Sequence, residues 1–401
     1  GYTSPDGTNE GLFYYWNQNW ALSIGRWMMR YLSAAGCNVV MPAIFLAFNA
    51  ACTAAAMLLL ADLWHIESKP LLILSTVSLV VAPSVIEQHL VIYMAYVYGF
   101  SLLMTVLASY LVLTKKGWPS FVVAVLALAC GMGGYQAWIG FATGAIVMTL
   151  MLDCLQERPL PEIFRRAGRA LAMGLLGAAV YFAVLQLEIH RYNITLSDKG
   201  GLSHFGAGSF LGGLGSKILQ AYRDFKVLMS HPMQLMVPFA LVLAEQARGC
   251  DAWEKLARVG AGAAAVVLCW LCTVTAYASY RTVALAYEYV DTLSTAILTR
   301  VFNSTDYTSD TRILIAGLPD ESEAQKFNFL FDKSAYTKNM VFWDGRAGVL
   351  GNWKHYLYDY HGVWIGEVDT DEYYDIIDSE AFKEMPVYPA EGSLEKFDDI
   401  L

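Results

Sequence analysis

Apolar and polar positions alternate along this chain in long blocks rather than residue by residue. Between Cys37 and Tyr280, eight apolar runs are separated by short charged loops. A hydrocarbon core about 30 Å thick needs about 20 apolar residues per helix, and fewer where a helix is broken or re-entrant. On that ruler the pattern predicts spans near 38–61, 71–86, 90–113, 119–131, 137–152, 170–187, 232–247 and 259–280. Two of these are short and flank Gly131-Met132-Gly133-Gly134-Tyr135-Gln136, where backbone polar groups must be buried in protein or line a cavity.

The loops give this pattern a direction. Alternate loops hold Lys69, then Lys115 and Lys116, then Arg158, Arg165, Arg166 and Arg169, then Arg248, Lys255 and Arg258. Such a bias marks the cytoplasmic side. The opposite side then receives residues 1–36, the link around Glu87-Gln88-His89, the 131–136 turn, the loop 188–230 and everything after Tyr280. With Gly1 already outside, one further helix upstream is expected.

Past residue 300 the pattern changes to shorter, mixed segments. Arg312 to Gly317 reads as a short buried strand, Glu321 to Phe331 as a helix, and Asn339 to Trp343 and Val363 to Ile365 as strand-like pieces. Asp369 to Glu384 reads as a further helix. The expected architecture is therefore an α-helical polytopic membrane protein over residues 1–300, with about eight spans. A small C-terminal α/β soluble domain follows over 301–401.

Composition sharpens the division. The chain is 56% apolar and only 16% charged, against about 25% in a soluble domain. Residues 301–401 hold 20 acids and 8 bases, leaving 16 acids and 19 bases in residues 1–300. A slightly basic membrane body thus carries an acidic tail, and nothing in the charge pattern points to nucleic acid. The seven cysteines lie mostly in or beside apolar runs and read as small buried hydrophobes rather than a disulfide framework. The seven histidines show no HxxH or HExxH spacing, so no metal site is expected.

Candidate chemistry gathers on the outer side. Asp6 lies in Pro5-Asp6-Gly7 with Glu10 four residues on, so one helical turn would align both carboxylates. A β-turn with a solvated Asp is the competing reading. Arg26, beside Gly25, and Arg30, one helical turn later, form a candidate phosphate-binding pair, because guanidinium meets phosphate oxygens in a fork. Headgroup snorkelling is the alternative for Arg30. Glu87 and Gln88 close the second apolar run after Pro83. An ionisable group at such a depth is a candidate site residue, although a short exposed turn would also tolerate it. Tyr135 and Gln136 occupy the turn between the two short spans, where they can satisfy backbone groups or touch a ligand.

These motifs carry a resemblance. The outer-loop acid, the stretch from Trp20 to Ile24-Gly25-Arg26-Trp27, the Pro83…Glu87 end of the second span, Gly134-Tyr135-Gln136-Ala137 and Ile313-Leu314-Ile315-Ala316-Gly317 resemble the bacterial membrane glucosyltransferases that modify O-antigen and related surface glycans. That resemblance implies a GT-C-type enzyme in the bacterial cytoplasmic membrane. It would take a hexose, glucose being expected, from a polyprenyl-phosphate donor on the extracytoplasmic face and pass it to a glycan acceptor with inversion. It implies no cofactor. Carried onto this sequence, it makes Asp6 the base with Glu10 in support, Arg26 the donor-phosphate group and Glu87 a group near the acceptor. Related chains often show two adjacent acids, whereas Asp6 is followed by Gly7, so the division of roles between Asp6 and Glu10 stays open. A second reading from another class is a lipid or glycan transporter with a substrate-binding outer cavity. Few ionisable residues fall at midplane depth, which favours the enzyme.

Overall fold

The computed structural model describes residues 18–35, 41–80, 94–197, 252–317, 346–366 and 368–401. The expected span 232–247, the tail helix from Glu321 and the strand-like piece 339–343 lie outside the described residues. Two compact units divide the chain, with the second taking up the sequence from Thr275 onward.

In the first unit the helices are α1 (Gln18–Ser23), α2 (Trp27–Ala35), α3 (Pro42–Leu63), α4 (Lys69–Val80), α5 (Ala95–Thr114), α6 (Trp118–Gly134), α7 (Trp138–Leu155) and α8 (Leu160–Tyr192). Three of them, α3, α5 and α8, are long and apolar enough to cross a membrane. The apolar helices α6 and α7 are shorter. Proline at the first turn opens α3, α6 and α8, where its missing N–H costs no intrahelical bond.

Helix α5 is the axis of this bundle, packed by α3, α6 and α7, while α6 also packs against α8. Its apolar window is 61% buried, against 28% for α8 at the periphery. Ser101, Thr105 and Ser109 form a fully buried stripe along α5, and the Thr105 and Ser109 hydroxyls donate back to carbonyls one turn earlier. Facing it are Gly131 and Gly134 of α6, where a Cβ would collide with Thr105 and Ser101 respectively. Small residues of this kind let apolar helices approach closely where no hydrophobic force drives them together.

Two sequence-based boundaries require correction. The expected span 170–187 is the middle of a 33-residue helix, about 50 Å long, and Arg165, Arg166 and Arg169 lie on it rather than in a loop. The span expected at 259–280 lies within α9 (Ala252–Phe302), of 51 residues. Hydropathy marks only the apolar part of a helix, and polar residues at its ends still carry good helix propensity.

In the second unit, Tyr287, Val290, Leu298 and Val301 of α9 pack with Ile313, Trp353, Tyr356, Leu357, Ile365 and Leu401. The helices here are α10 (Arg346–His361), α11 (Thr370–Ile377) and α12 (Glu380–Glu384). Among the described residues of this unit no strand occurs: Arg312 to Gly317 and Val363 to Ile365 run as extended segments joined by isolated pairings. Arg312 forms an isolated bridge with Ile400, Ile313 N donates to Ile365 O and Leu314 N to Leu401 O. Left-handed glycines at 317 and 366 end both extended runs before a ladder can build.

One arginine organises this pairing. Arg312 holds Glu372 through two bonds of 2.6 and 2.7 Å, and Asp399 through two of 2.7 and 2.9 Å. Hydrogen bonds from the guanidinium hold both carboxyls below their ordinary range. Glu372 also completes a capping box with Asp369 at the start of α11.

Candidate active site

The chain reverses between α1 and α2 through a tight cap. Arg26 N donates to Ala21 O and Gly25 N to Leu22 O, the paired bonds of a Schellman motif, with Gly25 at φ +82°. Only glycine takes that backbone conformation without strain. The reversal is held from the turn between α6 and α7 and from α8. Gln136 Nε2 donates to Ile24 O and to the Tyr181 hydroxyl, both at 3.1 Å, and Tyr181 Oη donates to Gly25 O at 2.9 Å. Gln136 thus bridges the turn after α6 to the turn that carries Arg26.

Around that reversal the arginines meet rings. The Arg26 guanidinium lies 4.9 Å from the Tyr135 ring centre, and its Nη1 donates to Met94 Sδ at 3.6 Å. Tyr98 meets Tyr135 edge-on at 4.6 Å. Arg30 lies 3.3 Å from the centre of Tyr192, and Arg191 approaches the same ring at 5.4 Å. Arg26 Nε and Arg30 Nη1 are buried without a hydrogen-bond partner among the described residues. Such stacking stabilises a guanidinium by about 0.5–2 kcal/mol while leaving its in-plane N–H edges available.

Beside Arg30, Tyr31 Oη donates to Glu188 Oε1 at 2.7 Å. Glu188 is only 2% exposed. The bond to this carboxylate, then burial, pushes the Tyr31 phenol above its ordinary value, so it remains a donor through the neutral range. Trp27 packs between these groups and α6, where a Cβ on Gly133 would strike its indole.

Arg26, Tyr135 and Gln136 therefore converge, and Arg30 joins them one helical turn along α2. Asp6, Glu10, Glu87 and Gln88 lie outside the described residues. Sequence reasoning missed Tyr181, Glu188 and Tyr192. Glu188 had a readable signal, as an acid near the end of a long apolar helix. No group of three or more His, Cys, Asp or Glu side chains is placed to hold a metal among the described residues.

These features define a helical, membrane-compatible protein with one arginine- and tyrosine-lined end. The model of the glucosyl transferase GtrII family matches residues 9–297, and the chain belongs to that family. It is therefore a glycosyltransferase. No curated protein and no solved structure matches the chain.

Proposed function

We propose that this chain is an integral-membrane glucosyltransferase of the bacterial cytoplasmic membrane, drawing on a polyprenyl-phosphate glucose at the extracytoplasmic face. A carboxylate takes the proton of an acceptor hydroxyl, and the oxygen attacks the anomeric carbon. The bond from that carbon to the donor phosphate oxygen breaks, so polyprenyl phosphate leaves and the configuration inverts. The acceptor is a surface polysaccharide or a lipid-linked glycan. Asp6 is the proposed base with Glu10 in support, Arg26 and Arg30 stabilise the leaving phosphate, and Glu87 and Gln88 lie near the acceptor.

One observation carries this reading. Two guanidinium groups at one end of the bundle are seated on aromatic rings with buried N–H groups unpartnered among the described residues. A departing phosphate monoester supplies the oxygens such groups would bind, and preorganised donors of this kind lower a barrier without reorganising. Tyr135 serves as the ring that aims Arg26, while Gln136 holds the turn behind it.

The test is turnover by the purified full-length protein with a panel of polyprenyl-phosphate sugars and nucleotide sugars. Lipid-phosphate glucose is expected to be consumed with release of polyprenyl phosphate and an inverted anomeric signal by NMR. Turnover of nucleotide glucose alone would refute the donor class.

A further inference from the structure

Glu188 is the least expected group at the arginine end. It lies in the last turns of α8, a helix apolar enough to cross a membrane, yet it is 2% exposed. A buried carboxylate costs several kcal/mol of desolvation unless something compensates it. Arginines at 30 and 191 approach the neighbouring Tyr192 ring, and either would be an ordinary partner. The bond instead comes from a neutral phenol, Tyr31, at 2.7 Å. Arg30 consequently keeps Nη1 unpartnered among the described residues.

The spacing explains why the phenol matters to the arginine. Arg30 and Tyr31 are consecutive on α2. Their partners Tyr192 and Glu188 are four residues apart on α8, hence on one face and one turn from each other. Arg30 on Tyr192 and Tyr31 on Glu188 are therefore two adjacent rungs between the same pair of helices.

We propose that Glu188 and Tyr31 are positioning residues for glucosyl transfer: their hydrogen bond fixes α2 against the end of α8 and sets the angle at which Arg30 presents its unoccupied N–H edge to the donor phosphate. This inference rests on the proposed phosphate role of Arg30. The carboxylate acts through the phenol and does not itself touch substrate. A displacement of about 1 Å at such a group can cost as much as 10²-fold in rate, so one hydrogen bond onto a buried carboxylate is enough to matter.

Steady-state kinetics of the full-length protein with lipid-phosphate glucose varied, and separately with acceptor varied, test the proposal. Tyr31→Phe and Glu188→Leu are expected to raise KM for the donor about tenfold, the equivalent of one hydrogen bond, with acceptor KM unchanged. Glu188→Gln is expected to stay near the parent, because its amide oxygen accepts the same O–H. Thermal midpoints recorded alongside identify any variant that fails to fold, and Glu188→Gln keeps the test decisive if Glu188→Leu does. An unchanged donor KM in Tyr31→Phe overturns the proposal, as does a Gln variant as impaired as the Leu variant. Arg30→Ala separates the two levels. If it raises donor KM while Tyr31→Phe is silent, the positioning role alone fails; if Arg30→Ala is silent, the phosphate reading fails and this inference with it.

Discussion

The two ends of the helical bundle treat their arginines in opposite ways. At the end formed by the C-terminal turns of α5 and α7, Asp153 is 3% exposed and receives both Arg166 and Arg158, the latter at 3.1 Å. Arg166 also donates to Leu113 O at 2.9 Å, closing the end of α5. Nearby, Tyr110 donates to Asp62 at 2.6 Å. These charges are matched within the protein, and their role is to hold helix ends together. At the other end Arg26 and Arg30 rest on rings, with buried N–H groups unpartnered among the described residues. Completed ion pairs mark architecture, and incomplete arginines mark where a ligand's oxygens are wanted. The proposed phosphate site accordingly falls at the arginine and tyrosine end of the bundle, away from Asp153.

The largest expected effect belongs to the proposed base. Asp6→Asn keeps the side chain's shape and removes a proton acceptor, so kcat should fall about 10²- to 10⁴-fold with the thermal midpoint unchanged. Normal turnover in that variant would move the base to Glu10 or end the mechanism. On the completed side, Asp153→Ala should do the reverse. It strands Arg166 beside an apolar helix end and should cost about 3–5 kcal/mol of stability, read by denaturation in detergent, while the KM values of the surviving folded enzyme hold. A stable variant with altered donor KM would erase the distinction between the ends.

Smaller effects sharpen the comparison. Arg26→Lys keeps the charge but loses the two-pronged contact and the flat stack on Tyr135, so donor KM should rise about tenfold. An unchanged response to donor would reassign Arg26 to headgroup anchoring. The smallest effect belongs to the second unit, where Arg312 plays the completed role. Its partners Glu372 and Asp399 have depressed folded-state values, so their stabilising contribution is present above the ordinary carboxylate range of about 4 and is lost as pH falls through the lower folded values. The protection factors of Ile313 and Leu314, which remove the intrinsic pH dependence of amide exchange, should therefore fall below about pH 4 and be flat above it. Protection that stays unchanged down to about pH 2 would show that this pairing does not depend on the clamp.

What was legible in the sequence followed from runs of uniform character. The apolar blocks under α3 and α5 were readable because about 20 apolar residues leave few alternatives, and the shorter runs under α6 and α7 because they lie on either side of one glycine-rich turn. The Gly134-Tyr135-Gln136 turn was readable from the two short runs around it. Helix ends were not, because Arg165, Arg166 and Arg169 look like loop residues until Asp153 is brought to Arg166 by folding. Tyr31 and Glu188 lie 157 positions apart, and neither carries a local mark of the other. Helix α10 was overlooked although Trp353, Tyr356, Leu357 and Tyr360 recur at helical spacing, a stripe obscured by the intervening Lys354, His355 and Asp359.

Gly133 shows how far the arginine end reaches into the bundle. The indole of Trp27 occupies the space where any other residue's first side-chain carbon would stand, and Trp27 sits in sequence directly after Arg26. The smallest possible enlargement at Gly133 must therefore displace Trp27, and with it both the turn that carries Arg26 and the start of α2, which carries Arg30. A genetic screen for inactive chains that still fold and reach the membrane should return Gly133 alongside the charged residues, although glycine brings no reactive atom of its own. On the proposed reading, the aim of both arginines depends on a methyl group that is missing.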